Sequence, residues 1–444
     1  MSTLNAGPSD TGASNTGASP ELDELKTRED AASWDAADPL AWARQEFHLP
    51  EGALYFDGNS LGPLPKASRR RSMDVVDQQW GEDLITSWNR HDWIGLPRKI
   101  GGRIAPLIGA EPDQVVVCDS VSVNLFKVLA AALRLRPGRR TLLCQEDHFP
   151  TDLYIAQGLA GLLSKDGDAE IKIRYAQVDE MDAILTSDPD RSEIAAVCLG
   201  HVDFRSGRLF PMAELTRAMH DAGALAVWDL SHSAGALPVK LDDCQVDFAV
   251  GCGYKFLNGG PGAPAFLYAA RRHHEGCANP LPGWLGHRRP FAFERDYEPA
   301  EGIDRFVCGT PPILAMSSLD AALELWEKVD LEDLRLKSRL LGDLFLKRAS
   351  RFTDEFGLQV ACPEDSSVRG SQVCLRHPDG YAVIQALIER GMTGDFRAPD
   401  ILRFGLTPLY QSYVDVWDAV DALEDVVRSG IYREQRFHRR AKVT

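Results

Sequence analysis

Three things are scarce in this 444-residue chain: ordered cysteine spacing, long apolar runs and positive charge. Its nine cysteines are scattered from 118 to 374 with no CxxC and no small-secreted-domain pattern, which excludes a disulfide scaffold and predicts reduced thiols in a cytoplasmic protein. No apolar run reaches the ~20 residues of a membrane span, so no membrane partner is expected. Lys plus Arg number 49 against 65 Asp plus Glu, and the net charge of −16 argues against nucleic acid and anionic lipid. A small molecule is the expected partner. No GxGxxG opens a helix after a strand, there is no internal repeat and there is no heptad run. His273, His274 and Cys277 could begin a zinc site, but no second ligand cluster completes it, and no metal is expected.

What is present fits two globular domains: 44% hydrophobic and 26% charged residues on a chain of this length. Residues 1–20 are rich in Ser, Thr, Gly and Asn, without the basic start and apolar core of a secretory signal, and are expected to be a disordered tail. Residues 21–54 read as an arm with one or two short helices, and YFDGNSLGPLP (55–65) as a strand followed by a turn. From 115 onward apolar runs alternate with amphipathic stretches: VVVC at 115, TLLC at 141, IAAVCLG at 194, LAVWDL at 225 and VDFAVGC at 246, with helical patterns at 125, 153 and 212. This is the α/β pattern of a parallel sheet buried on both faces. The large domain is placed at 55–310. From 311 to 444 the pattern changes to a smaller α+β domain, with helices over 312–327 and 331–350, short strands near 357 and 371, a helix near 381, a strand at ILRFGL (401) and a last helix from 412.

In such a sheet ligands bind beyond the carboxyl ends of the strands. Ser122, His148, Asp152, Asp229, His232 and Lys255 all follow apolar runs, so four loops are expected to meet at one cleft. Lys255 lies in GCGYKFLNGGPG, and Asp229 ends an apolar run 26 residues before it. A lysine among apolar and glycine neighbours can form an imine with an aldehyde, and a strand-end carboxylate can hold a pyridine nitrogen protonated, so the pair points to pyridoxal 5'-phosphate (PLP). Each residue has a plainer reading beside this one. Lys255 could be a snorkelling lysine, Asp229 and Asp152 helix caps, and His232 a satisfied structural histidine. CDSVSVNLFKVLAAAL (118–133) reads as strand, turn and helix start, where Ser122 and the first N–H groups form either an anion site or a simple N-cap. Phe149, in the next loop, could cover a ring. Arg403, a lone arginine in the apolar LRFGLTPLY, suits a bidentate grip on a carboxylate, with a structural ion pair as the alternative.

Together YFDGNSLGPLP, FPTD (149–152), WDLSHSAG (228–235), GCGYKFLNGGPG, GWLGH (283–287) and VCGTPPI (307–313) resemble the kynureninase family of fold-type I PLP enzymes, in the class V aminotransferase superfamily. The resemblance runs from about residue 50 to 428. It implies a large domain with a mostly parallel seven-stranded sheet flanked by helices, a smaller α+β C-terminal domain, and hydrolysis of L-kynurenine, or 3-hydroxykynurenine, to anthranilate, or 3-hydroxyanthranilate, and L-alanine. It also implies roles. Lys255 would bear the cofactor and move protons, and Tyr254 would serve the phosphate and proton transfer. Asp229 would pair with the pyridinium, with His232 beside it, while Val121 and Ser122 would hold the phosphate and Phe149 and Asp152 would contact the cofactor. Trp284 and Thr310 would complete the phosphate site from the neighbouring subunit of a homodimer, and Asn59, Ser60 and Arg403 would meet the substrate. Ser122 stands where threonine is frequent in the family, and Thr310 where asparagine also occurs. Gly200, where some relatives have serine, is given no cofactor role. A class V aminotransferase or a cysteine desulfurase shares the fold, but a desulfurase would be expected to carry histidine where Tyr254 stands.

Overall fold

A strand covered on both faces needs apolar side chains on both, and the apolar runs supply them. In the computed structural model, which describes residues 22–164 and 170–440, seven strands form one sheet. In chain order they are β1 (Val115–Val117), β2 (Thr141–Gln145), β3 (Lys172–Ala176), β4 (Ile194–Gly200), β5 (Leu225–Asp229), β6 (Phe248–Cys252) and β7 (Ala265–Ala269). Their spatial order is β1-β7-β6-β5-β4-β2-β3. Neighbours from β6 across to β3 run parallel; β7 alone opposes both strands beside it.

Alternate residues of each strand feed two separate cores. Val116, Leu142, Cys198, Val227 and Val250 pack with Leu125, Val128 and Leu129 of the helix Val121–Leu135 on one face. Val115, Leu143, Val197, Trp228 and Ala249 pack with Ile100, Ile104 and Met219 on the other. The helix Ile313–Leu323 joins this second core through Met316, Leu319 and Leu323.

A four-stranded antiparallel sheet follows, built from Gln359–Val360, Gln372–Arg376, Ile401–Gly405 and Asp395–Arg397 in that spatial order. The helices Leu331–Ala349, Gly380–Glu389 and Tyr413–Ser429 cover it. Asp330 caps the first of these, and Ser412 with Asp415 forms a capping box on the last, which Gly430 ends at φ +67°. This third core also takes Leu25 and Ala31 from the arm, and Phe56. The tie is a two-residue parallel pairing of Leu54–Tyr55 with Met392–Thr393. The stretch expected to be a disordered tail, 1–20, lies outside the described residues.

All nine cysteines are free thiols. His273 and His274 have partners of their own, Asp247 and the Ala269 carbonyl, and Cys277 is buried. Among the described residues no helix is long and apolar enough to cross a membrane.

Candidate active site

A parallel sheet delivers the ends of its strands to one edge, and the loops leaving β1, β2, β4, β5 and β6 line a cavity of about 310 Å³ there. Asn59 and Ser60 from the YFDGNSLGPLP turn, and Arg397 and Arg403 from the smaller sheet, close its other side. Of the residues singled out from the sequence, Asn59, Ser60, Val121, Ser122, Phe149, Asp152, Asp229, His232, Tyr254, Lys255 and Arg403 all border this one space. Trp284 and Thr310 do not. Trp284 is half exposed with its ring edge-on to Phe291, and Thr310 is an exposed residue on an adjoining cavity that also reaches Tyr254.

Lys255 follows β6 by three residues, and its Nζ lies 3.0 Å from Nε2 of His232, which leaves β5. Burial, then the charges of Lys255 and Arg403, push the imidazole well below its usual range, so His232 is neutral and Nε2 accepts the lysine's proton donor. Its Nδ1 is buried with no hydrogen-bond partner among the described residues. Tyr254 is half-buried, and burial raises its phenol so that it keeps its proton.

Asp229 closes β5. Its Oδ1 accepts the Ser231 N–H at 2.8 Å and the Ser231 hydroxyl at 2.6 Å, while Oδ2 accepts nothing among the described residues. Burial, and then the Asp152 charge, push this carboxyl up to about 6; His148 opposes the rise. Burial of His148 opposes its charge, yet Asp152, 2.9 Å from its Nδ1, together with Asp229 and the Leu199 backbone raises its pKa. The carboxylate of Asp229 therefore has a vacant oxygen in a low-dielectric setting, where a positively charged N–H would be its natural partner.

The capping alternatives resolve at named atoms. Ser120, not Ser122, caps the helix Val121–Leu135, accepting from the Val123 N–H, which leaves the Ser122 hydroxyl and the N–H groups of Val121 and Ser122 at the cavity. Asp152 sits in the first turn of Pro150–Leu163 but is paired by charge with His148. Phe149 stands edge-on to Phe204, centroids 5.3 Å apart, and keeps 44% of its surface exposed. Gly200 borders the cavity with its N–H on Gln145 Oε1 at 3.3 Å, and a Cβ there would find its nearest neighbour at 3.6 Å.

At Arg403 the expectation of a lone arginine is corrected: the ion pair is present. Its Nε and Nη2 both bond Asp395, because the antiparallel register sets Asp395 directly opposite Arg403. Asp395, Arg397, Asp57, Asp203 and Phe204 had no signal in the sequence. Asp395–Arg397 is a three-residue strand, too short for periodicity to show, and Asp57 acts through a neighbour more than three hundred positions away.

A family model described as the kynureninase C-terminal domain matches residues 334–423. The chain is 46% identical to a kynureninase of Burkholderia mallei over 424 residues, covering 95% of this chain and all of that one. It is 44% identical to a kynureninase of Pseudomonas fluorescens over the same shares. Among solved structures, a C-DES mutant with glycine covalently linked to its PLP cofactor superposes with a TM-score of 0.72 at 19% identity, over 86% of this chain and 99% of that one. The cysteine desulfurase CsdA from Escherichia coli gives 0.71 at 17% identity, over 88% and 98%. These distant likenesses carry the fold alone.

Proposed function

The chain belongs to the kynureninase family, and from that premise we propose that the cavity described above hydrolyses the Cβ–Cγ bond of L-kynurenine, giving anthranilate and L-alanine with PLP as cofactor. One observation carries this reading: a lysine amine, a half-buried carboxylate with a vacant oxygen and an open helix N-terminus border the same space. The donor set fits PLP. Lys255 would bear it, Asp229 Oδ2 would pair with the ring nitrogen, and Val121, Ser122 and Tyr254 would hold the phosphate at the helix start. Phe149, His232 and Asp152 would flank the ring. Bound there, the cofactor supplies an electron sink that lets the α-carbon lose a proton and lets Cβ carry negative charge.

The protein's own groups do the rest. Lys255 moves the proton at the substrate α-carbon. Tyr254, held protonated by burial, is a donor for Cβ. Neutral His232 accepts from Lys255 without competing for its charge. Arg403, with Asn59 and Ser60, orients the α-carboxylate. The net reaction consumes one water: its oxygen ends in the anthranilate carboxylate and hydrogen is gained at Cβ of alanine.

Incubation with L-kynurenine should release anthranilate, read by its fluorescence. Intact kynurenine with amino transfer to a keto acid would favour the class V aminotransferase alternative instead. Comparing kcat/KM for L-kynurenine and 3-hydroxy-L-kynurenine would settle whether the ring hydroxyl is preferred, with tryptophan catabolism and NAD biosynthesis the two pathways this reading allows. A homodimer with sites at its interface is part of the same reading, supported by the exposed Trp284, Phe291 and Phe293 beside one another. Nine free thiols support a cytoplasmic location. The division into an arm over 21–54, a large unit over 55–310 and a small unit over 311–444 also remains a proposal. The packing of Met316 and Leu323 in a large-sheet core favours a later junction, within Leu331–Ala349.

A further inference from the structure

A guanidinium has five N–H donors, and gripping a carboxylate in bidentate fashion takes two of them. Arg403, 1% exposed, has committed four. Nε and Nη2 meet Asp395, Nη2 also meets Ser60 Oγ at 3.0 Å, and Nη1 donates to the Phe204 carbonyl at 2.7 Å. A single Nη1 hydrogen is left for a ligand.

Beside it on the same cavity wall stands Arg397. Its Nη2 lies 2.7 Å from Asp395 Oδ2 and donates to Ser60 Oγ at 3.3 Å, and its Nη1 donates to the Phe396 carbonyl at 3.1 Å. Nε and the second Nη1 hydrogen have no partner among the described residues. The side chain is 31% exposed, where Asp395 is almost fully buried. Two guanidiniums thus share the single carboxylate of Asp395. Asp57, also nearby, is only partly ionised near neutral pH, because burial, and then Asp395, push its carboxyl up to about 7. Positive charge therefore exceeds negative charge among these four groups.

We propose that Arg397 is a second ligand of the substrate α-carboxylate, so that the anion end of the cleft is a two-arginine site in which Asp395 is the positioning residue shared by both guanidiniums. This rests on the kynureninase reading. It explains why a fully buried arginine with one free hydrogen can serve an amino acid: Arg403 contributes that hydrogen and its charge, and Arg397 completes the pair of donors.

The test compares Arg397→Ala and Arg397→Lys in the PLP-loaded enzyme, with L-kynurenine and with its decarboxylated amine as a competing ligand. R397A should raise KM for L-kynurenine by roughly 10- to 100-fold, the size of one charged hydrogen bond lost. It should leave kcat within about threefold and the inhibition constant of the carboxylate-free amine within about twofold, since an arginine that meets only the carboxylate acts on binding of that group alone. R397K should recover part of the loss. An unchanged KM in folded R397A, or in R397K should R397A not fold, overturns the inference, as does an equal loss for the amine. Wild-type protein that leaves L-kynurenine intact would overturn the family reading and this inference together; normal wild-type turnover with an unchanged KM in the variant would overturn the inference alone.

Discussion

Lys255 Nζ and His232 Nε2 share a 3.0 Å hydrogen bond at the centre of the cleft. Burial keeps the imidazole neutral, and the bond holds the lysine nitrogen beside the loop that leaves β5, on the cavity that Asp229 also borders. In the proposed reaction Lys255 is both the attachment point and the proton carrier. Lys255→Ala should therefore lower kcat by at least ~10³-fold and abolish the visible imine band of the loaded protein, with far-UV circular dichroism unchanged. Retained turnover would remove Lys255 from the chemistry.

Asp229 offers a test of the opposite side of the cavity. Asp229→Asn keeps the shape and the Ser231 contacts but removes the charge that would hold a ring nitrogen protonated. An electrostatic loss of this kind is on the order of 10²-fold or more in kcat. The cofactor's absorbance band should shift while the amount bound stays near wild type, and unchanged kinetics would count against the pairing.

Asp57 gives a dependence on pH. Its carboxyl is pushed up to about 7 by burial and by Asp395, whereas an unfolded aspartate ionises near ~4. Between those values the unfolded chain sheds a proton that the folded one retains, so this group makes stability fall as pH rises from about 4 to about 7 and level off above. Asp57→Asn should flatten that part of the curve of Tm against pH. An identical slope in the variant would mean that Asp57 titrates normally.

Gly62 joins the substrate-side turn to the lysine loop: its N–H donates to the Tyr254 carbonyl at 2.8 Å, and a Cβ there would press on the Lys255 carbonyl and come within 2.9 Å of Asn258 Cα. Gly62→Ala should displace Tyr254 and Lys255, cut kcat/KM by about 10- to 100-fold, as small misplacements at a site do, and lower Tm, since overpacking against backbone costs about 1–3 kcal/mol. Wild-type kinetics would show that the loop yields without consequence.

How far the residues announced all this varied with their setting. Strands β1, β2, β4, β5 and β6 were legible because both of their faces are buried and their apolar runs are unbroken. Lys172–Ala176 was not, since it is an edge strand whose charged residues stay partly exposed, and Ala265–Ala269 hides directly after a Gly/Pro-rich turn. At the site, Lys255 and Asp229 stood out as polar residues ending apolar runs. Ser120 and Ser122 are both plausible caps by composition, and only backbone geometry at Ser120 separates them. Arg403 looked solitary because its partner Asp395 becomes a neighbour only through strand register, and Ser60 only through the folding of segments 343 positions apart.

The stretch from Phe56 to Gly62 is fastened at both ends. Phe56 bonds Thr393 of the short parallel pairing and Gly405 of the smaller sheet, and Gly62 bonds Tyr254 beside Lys255. It works as a caliper. The two jaws, the Lys255 amine on one packed body and the Arg403 guanidinium on another, are joined by one short, doubly anchored stretch of chain, so a shift of either body against the other would reset the gap between them.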